Sequence, residues 1–276
     1  MEQGLATVPR GVPGNAKGQW IRKAAIRRMT GHDEQLLMEH PASTPLHSKV
    51  VSLLERIATF EGAHTSVVLK KLSLGDRACL LLSARKLIIG DLISCTTSCP
   101  SCGADMSLDL SADTIMSAEH PIPEVDYGLE AAGFRLRIRP LTAEDQDAIV
   151  AKAARSDVLA QELARACVVR SEPALPERIP EALLEAIGSR LEEIDPLSDV
   201  NLRLLCPECG HSFQAALPVE EFVLRELGVR GHQLEREVHW LAFHYHWSEN
   251  EILSLPTSKR KRYVELVNAT LAGGSL

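Results

Sequence analysis

Two five-residue stretches carry the clearest chemistry in this chain: Cys99-Pro-Ser-Cys102-Gly103 and Cys206-Pro-Glu-Cys209-Gly210. A Cys-x-x-Cys turn brings two thiolates to one side, and the glycine accepts the backbone angles that so tight a turn needs. One such knuckle supplies two ligands, whereas a structural zinc ion takes four in a tetrahedron. The simplest reading is one zinc ion per chain held by Cys99, Cys102, Cys206 and Cys209, with the knuckles brought together from distant segments. An all-thiolate site is closed, with no position for water or substrate, so its expected task is structural. Two alternatives stand beside this reading, a redox dithiol and a disulfide. Thioredoxin-like motifs sit singly at a helix start, whereas each pair here lies between two strand-like segments. Cys95 and His211 flank the knuckles; Cys95 reads as a strand residue facing the core, and His211 is superfluous beside four thiolates.

The seven cysteines form an odd set, and the first 20 residues contain no apolar leader, which together suggest a reducing, cytoplasmic setting. Cys79 in ACLLL and Cys167 in ARACVV read as small buried hydrophobes. No apolar run approaches the ~20 residues that span a bilayer. A hydrophobic share of 45% with aromatics at only 4% favours helices packed through aliphatic stripes. The net charge of -7 lowers the expectation of a dedicated nucleic-acid binder, which would carry a basic face.

Other candidate sites are weaker. His239, His244 and His246 gather with Trp240, Tyr245 and Trp247, but their spacing misses the i,i+4 pair of a helical metal site. The segment therefore reads as an aromatic helix face for packing or for docking a partner. Lys259-Arg260-Lys261-Arg262 is the one compact basic run and reads as a solvated helix face. Carboxylates are scattered at solvent-face spacing. With no phosphate loop, nucleophile elbow or dinucleotide signature, no catalytic residue is assigned and an enzyme is not expected.

The elements that must position the knuckles follow a repeated plan. Residues 26–34 (IRRMTGHDE) and 138–146 (IRPLTAEDQ) match in Ile, Arg, Thr and Asp, at nearly the offset that separates the knuckles. In each half an alternating stretch (24–29, 135–140) predicts a strand, and Thr30 or Thr142 before an acidic turn predicts a helix start, with Gln146 one place beyond the usual capping-box position. Helices are expected over 50–60 and 158–169, then over 75–88 and 180–194, before the knuckle hairpins 92–110 and 200–217. The expected organisation is a disordered arm over 1–18, halves over 19–112 and 113–217, and a helical extension over 218–276. The fold class is α+β, mostly helical, with the halves joined by one four-cysteine zinc ribbon.

In this order TGHDEQLLME, GDRACLLLSARKLIIGD before CPSCG, LRIRPLTAEDQDAI before CPECG, and the tail EVHWLAFHYHWSENEILSLPTSKRKRYVELV resemble the T-even-type phage baseplate hub assembly family. The resemblance extends to relatives encoded with contractile tails and phage-like injection systems. It spans about residues 20–270, and the GDR and HWSENEIL segments carry most of its specificity. It implies a non-enzymatic assembly factor or structural component of a baseplate or hub, with a baseplate, hub or spike protein as partner. Such a protein would be cytoplasmic or built into a phage-like particle. Only the four knuckle cysteines are carried over as site residues. The alternative is a zinc-ribbon nucleic-acid-binding or transcription-associated protein, supported by the ribbon and the basic run and opposed by the acidic balance.

Overall fold

The structure, a computed structural model, describes residues 3–14, 18–150 and 156–273. Its first passage opens with strands β1 (Gln3–Pro13) and β2 (Trp20–Arg27), followed by helices α1 (Gly31–Glu39) and α2 (Leu46–Ile57) and strand β3 (Ala58–Phe60). Helices α3 (Thr65–Lys71) and α4 (Leu74–Ile88) lead to a hairpin, β4 (Leu92–Ser98) and β5 (Asp105–Ser111), and a short α5 (Ala112–Met116). The second passage runs β6 (Tyr127–Ala131), β7 (Phe134–Ile138), α6 (Ala143–Val150), α7 (Ser156–Cys167), β8 (Val168–Glu172) and α8 (Glu181–Ile194). A 3-10 turn (Pro196–Ser198) precedes the hairpin β9 (Val200–Leu205) and β10 (Ser212–Leu217). Helices α9 (Val219–Tyr245), α10 (Glu249–Leu253) and α11 (Thr257–Leu271) follow. The fold is thus mixed, with small antiparallel sheets among helices.

Each passage contains a three-stranded sheet with its second strand in the centre, ordered β1-β2-β3 and β6-β7-β8. The repeated Ile-Arg-x-x-Thr-x-x-Asp has the same geometry in both. Ile26 and Ile138 are buried at the ends of the central strands. The Arg27 guanidinium grips both oxygens of Asp33 at 2.6 and 2.9 Å, and Arg139 grips Asp145 at 2.7 and 2.8 Å. The same aspartates accept the backbone N–H of Thr30 and of Thr142, each at 2.8 Å. Asp33 and Asp145 at the third helical position, rather than Glu34 or Gln146, therefore complete the helix starts.

Two expectations need correction. Residues 3–13 are a strand and not part of a disordered arm: they pair with β2 from Gln3↔Arg27 to Thr7↔Lys23, then across a bulge to Val12↔Ile21. Val8, Arg10 and Val12 are buried there. Gly11 sits at the bulge with φ 75°, and a Cβ on it would lie 2.2 Å from the Ile21 carbonyl oxygen, so a glycine here is a requirement of close pairing. Residues 1, 2 and 15–17 of the expected arm lie outside the described residues. The helices expected over 50–60 and 158–169 also stop early, at Ile57 and Cys167. The chain passes directly into β3 and β8, whose backbone groups complete the central strands β2 and β7.

The larger core joins the first sheet, α2, α4 and the first turns of α9 through residues such as Val8, Leu53, Leu81, Val223 and Leu227. A second core gathers Tyr127, Leu136, Ile138, Leu183 and Ile187. The start of α4 ties these regions together. Leu74 N–H donates to the Leu141 carbonyl, Asp76 accepts the N–H groups of Arg10 and Gly11, and Ser73 donates to Asp195. The Arg77 guanidinium bonds Gln146 of α6 at 2.6 Å and Glu220 of α9 at 2.5 Å.

The C-terminal helices pack onto the first passage. Thr257 N–H donates to the Met29 carbonyl, and Arg260 pairs with Glu34 and Glu237, both at 2.6 Å. Arg260 is buried, so the basic run is not a uniformly solvated face: Lys259 and Arg262 are exposed, Lys261 is half-buried, and Arg260 turns inward. Nor do all carboxylates follow solvent-face spacing, since Asp33, Glu34, Asp76 and Asp195 are buried.

Candidate metal centre

Both knuckles are hairpin loops of the same construction. Strands β4 and β5 pair up to Ser98↔Asp105, and β9 and β10 up to Leu205↔Ser212, which places each Cys-x-x-Cys at a hairpin tip. Cys99 N–H donates to Ala104 O and Gly103 N–H to Cys99 O; Cys206 N–H donates to His211 O and Gly210 N–H to Cys206 O, all at 2.9 Å. Gly103 and Gly210 adopt φ 74° and 69°, the left-handed conformation that side chains resist. The cysteine pairs therefore project from equivalent turns.

The two tips meet. All four Sγ atoms lie within 4.8 Å of one another, with Cys99–Cys209 at 3.8 Å and Cys102–Cys206 at 3.7 Å. A tetrahedral ion with metal–sulfur bonds of about 2.3 Å requires sulfur–sulfur edges of about 3.8 Å. A disulfide requires about 2.05 Å, and all seven cysteines are free. The donor set fits a thiophilic divalent ion. Cys99 and Cys206 are buried against Met106, Ala104, Leu204 and Phe213, while Cys102 and Cys209 are exposed.

The local electrostatics follow from the loop. The Cys102 N–H, helped by that of Ser101, lowers the Cys99 thiol to about 7, because both amides stabilise the thiolate. At Cys102 the Ala104 N–H acts the same way, but the facing sulfurs of Cys209, Cys206 and Cys99 outweigh it and raise the thiol to about 12. A cation shared by the four sulfurs would relieve this crowding.

The remaining sulfur and imidazole groups do not join this site. Burial raises the Cys79 and Cys167 thiols to about 12, which leaves them unreactive. Cys95 is half-buried and packs on the larger core, and His211 is exposed and stacks on Phe213. Among the described residues the four cysteines are the one group of three or more potential ligands that converges. The C-terminal histidines are spread among rings instead: Trp240 and Phe243 meet His244 edge-on at 4.6 and 5.1 Å, and Tyr245 stacks on Trp247 at 4.7 Å. A groove of about 670 Å³ lies between α9 and α11, lined by Arg236, His239, Trp240, Val264 and Asn268. Phe243 is 67% exposed.

Sequence reasoning missed the buried ionic framework that holds the hairpins in place. Arg77–Glu220 and Arg85–Glu226 bind α4 to α9, and Arg85 also donates to the carbonyls of Gly90 and Leu92 at the root of the first hairpin. The available signal was GDRACLLLSARK itself, in which charges interrupt a helix with no continuous polar face, a pattern of burial on every side.

A family model described as T4 bacteriophage base plate protein matches residues 7–224, a span that contains both knuckles, the second three-stranded sheet and all but the first residues of the first. No curated protein and no solved structure matches the chain. With most of its length covered by that match, the chain belongs to the T4 bacteriophage base plate protein family.

Proposed function

We propose that this chain is a non-enzymatic structural component or assembly factor of the baseplate or hub of a contractile phage tail or phage-like injection system. In this reading one zinc ion on Cys99, Cys102, Cys206 and Cys209 clasps two related halves, 19–112 and 113–217, with β1 added to the first. The observation that carries it is the meeting of two distant knuckles in a closed four-sulfur cluster within a baseplate-family chain. Such a cluster leaves no ligand position for catalysis, and structural zinc binding supplies about 10–16 kcal/mol, enough to hold a junction of otherwise small contacts. Among the described residues no helix is long and apolar enough to cross a membrane.

The partner is a baseplate, hub or spike subunit, reached through the aromatic face of α9 and α11 (expected extension 218–276). Trp240 is half-buried and Phe243 exposed beside the groove, the residue types that concentrate binding energy. The nucleic-acid alternative loses support because Arg260 is withdrawn from the basic run into two ion pairs.

Metal analysis of the purified chain should give one zinc per chain, with the four knuckle thiols unreactive towards a thiol reagent until a chelator is added. Cys206→Ser should lose both the zinc and the folded state. A Phe243→Glu chain that keeps zinc should fail to co-purify with a co-expressed hub or spike subunit. A zinc-free chain that folds and assembles normally would overturn the clasp, and full retention of the partner by Phe243→Glu would overturn the surface.

A further inference from the structure

Two of the four buried carboxylates among the described residues face a guanidinium: Asp33 has Arg27 and Arg56, and Glu34 has Arg260. Asp76 and Asp195 differ. Both are fully or almost fully buried, and neither makes an ion pair among the described residues. They sit at one place, the start of α4, and approach it from different parts of the chain. Asp76 uses both oxygens to accept the β1 amides of Arg10 and Gly11 at 2.8 and 2.7 Å. Asp195, from the end of α8, accepts the Gly75 N–H and the Ser73 hydroxyl, both at 3.1 Å. Ser73 links them, because its oxygen also accepts the Asp76 N–H at 3.1 Å. A Cβ on Gly75 would lie 2.1 Å from Asp195 Oδ1, which shows how closely the acid is seated on the helix.

The guanidinium groups nearby make no ion pair with either carboxyl and act on them only through space, Arg10 and Arg22 on Asp76 and Arg10 on Asp195. Arg10 directs its guanidinium to the Tyr127 hydroxyl at 2.5 Å and the Glu124 carbonyl at 2.9 Å, and Arg22 donates to the Val8 carbonyl. Arg190 lies over the Tyr127 ring, 5.9 Å from its centroid, and burial together with Arg22 and Arg10 lowers the pKa of His120, which favours its neutral form. Along α4, Cys79 is a neutral thiol and Arg77 is committed to Glu220 and Gln146.

We infer that the seat of the second passage on α4 is closed by protons on this carboxyl pair, with Asp195 keeping its proton to higher pH than Asp76, so that this junction is tight in mild acid and loosens towards and above neutral pH. The two short amide bonds favour the charged form of Asp76, which leaves Asp195 as the group that keeps the proton. Burial raises Asp76 to about 6 and Asp195 to about 7, with the charge of Asp76 the second cause at Asp195. Above that range two negative charges share a dry helix start, held by the amides, the Ser73 hydroxyl and the more distant charges of Arg10 and Arg22. The inference depends neither on zinc nor on the baseplate role.

The direct test is carbon-13 NMR of the full chain labelled at aspartate carboxyls, titrated from pH 4 to 9. Asp195 should titrate near 7 and Asp76 near 6, and titration of both below pH 5 would overturn the inference. Denaturant melts give the second readout. The folded state then binds more protons than the unfolded chain, so the unfolding constant should rise as pH rises, by up to about tenfold per pH unit for each of the two carboxyls still protonated between about pH 5 and 7. Asp195→Asn should flatten that dependence; retention of the full slope would count against a proton on Asp195. Asp76→Asn should weaken the chain at every pH, because an amide loses one acceptor for Arg10 or Gly11, and should move the Asp195 midpoint downward. If Asp195→Asn does not fold, the carboxyl titration of the unaltered chain still decides.

Discussion

At the scale of single residues, glycine positions decide how closely the parts approach. Gly75 and Gly31 each occupy the first turn of a helix where a side chain would collide, with Asp195 Oδ1 at 2.1 Å and with the Leu253 Cα at 2.8 Å. Gly75→Ala should cost about 1–3 kcal/mol, because Asp195 is held by two hydrogen bonds and cannot retreat freely. A denaturant melt checks this, and the loss should appear without any change in the metal that the proposed four-cysteine site would bind, since the knuckles lie at the hairpin tips. The cysteines show the complementary case. Their number and spacing name the ligand set, but the burial of Cys99 and Cys206 against Met106 and Phe213 decides that each knuckle presents one sheltered and one exposed sulfur.

The repeated Arg-x-x-Thr-x-x-Asp is better understood as an element than as a motif. It ends a strand, turns the chain and starts a helix, with one carboxylate serving the guanidinium and the threonine amide together. Burial alone would raise Asp33, but the bonds from Arg27, Thr30 and Arg56 outweigh it and bring the group to about 2; Asp145 is lowered in the same way by Arg139 and Thr142. The sign follows from that depression. A carboxylate held below its unfolded value stabilises the fold above that value, about 3.8, and the contribution disappears as pH falls towards 2. Acid melts of the unaltered chain should therefore show a steep loss of stability below about pH 4, and Asp33→Asn should remove much of that acid dependence while weakening the chain at neutral pH. With the opposite trend at Asp195, stability should be greatest between these two windows.

For the whole molecule, the C-terminal helices are part of the structure they were expected to extend. Helix α9 is about 40 Å long at 1.5 Å per residue, and its first turns contribute Val223 and Leu227 to the larger core. The α11 residue Arg260 neutralises Glu34, which α1 keeps buried. Arg260→Met should leave Glu34 and Glu237 without their shared cation and cost about 3–5 kcal/mol, read as a lowered melting midpoint. Adding Glu34→Leu to that variant should recover part of that loss, because one unpaired buried charge is then gone; no recovery would mean that lost packing, and not the stranded charge, dominates.

The sequence by itself determined what depends on neighbours along the chain. The two knuckles, the hairpins that carry them, the Thr30 and Thr142 helix starts and most helices were legible, because turn chemistry and hydrophobic period act over a few residues. The tertiary structure decided what depends on distant partners. Residues 3–13 form a strand because β2 offers an edge and Asp76 accepts two of their amides, and no local signal separates that from a loose arm. Arg77, Arg85 and Arg260 are buried because Glu220, Glu226, Glu34 and Glu237 meet them, and a charge in a sequence does not reveal whether its counter-charge is water or another helix. The four sulfurs follow the same division: each pair is local, and their convergence needed two hairpins placed tip to tip by a framework that only packing assembles.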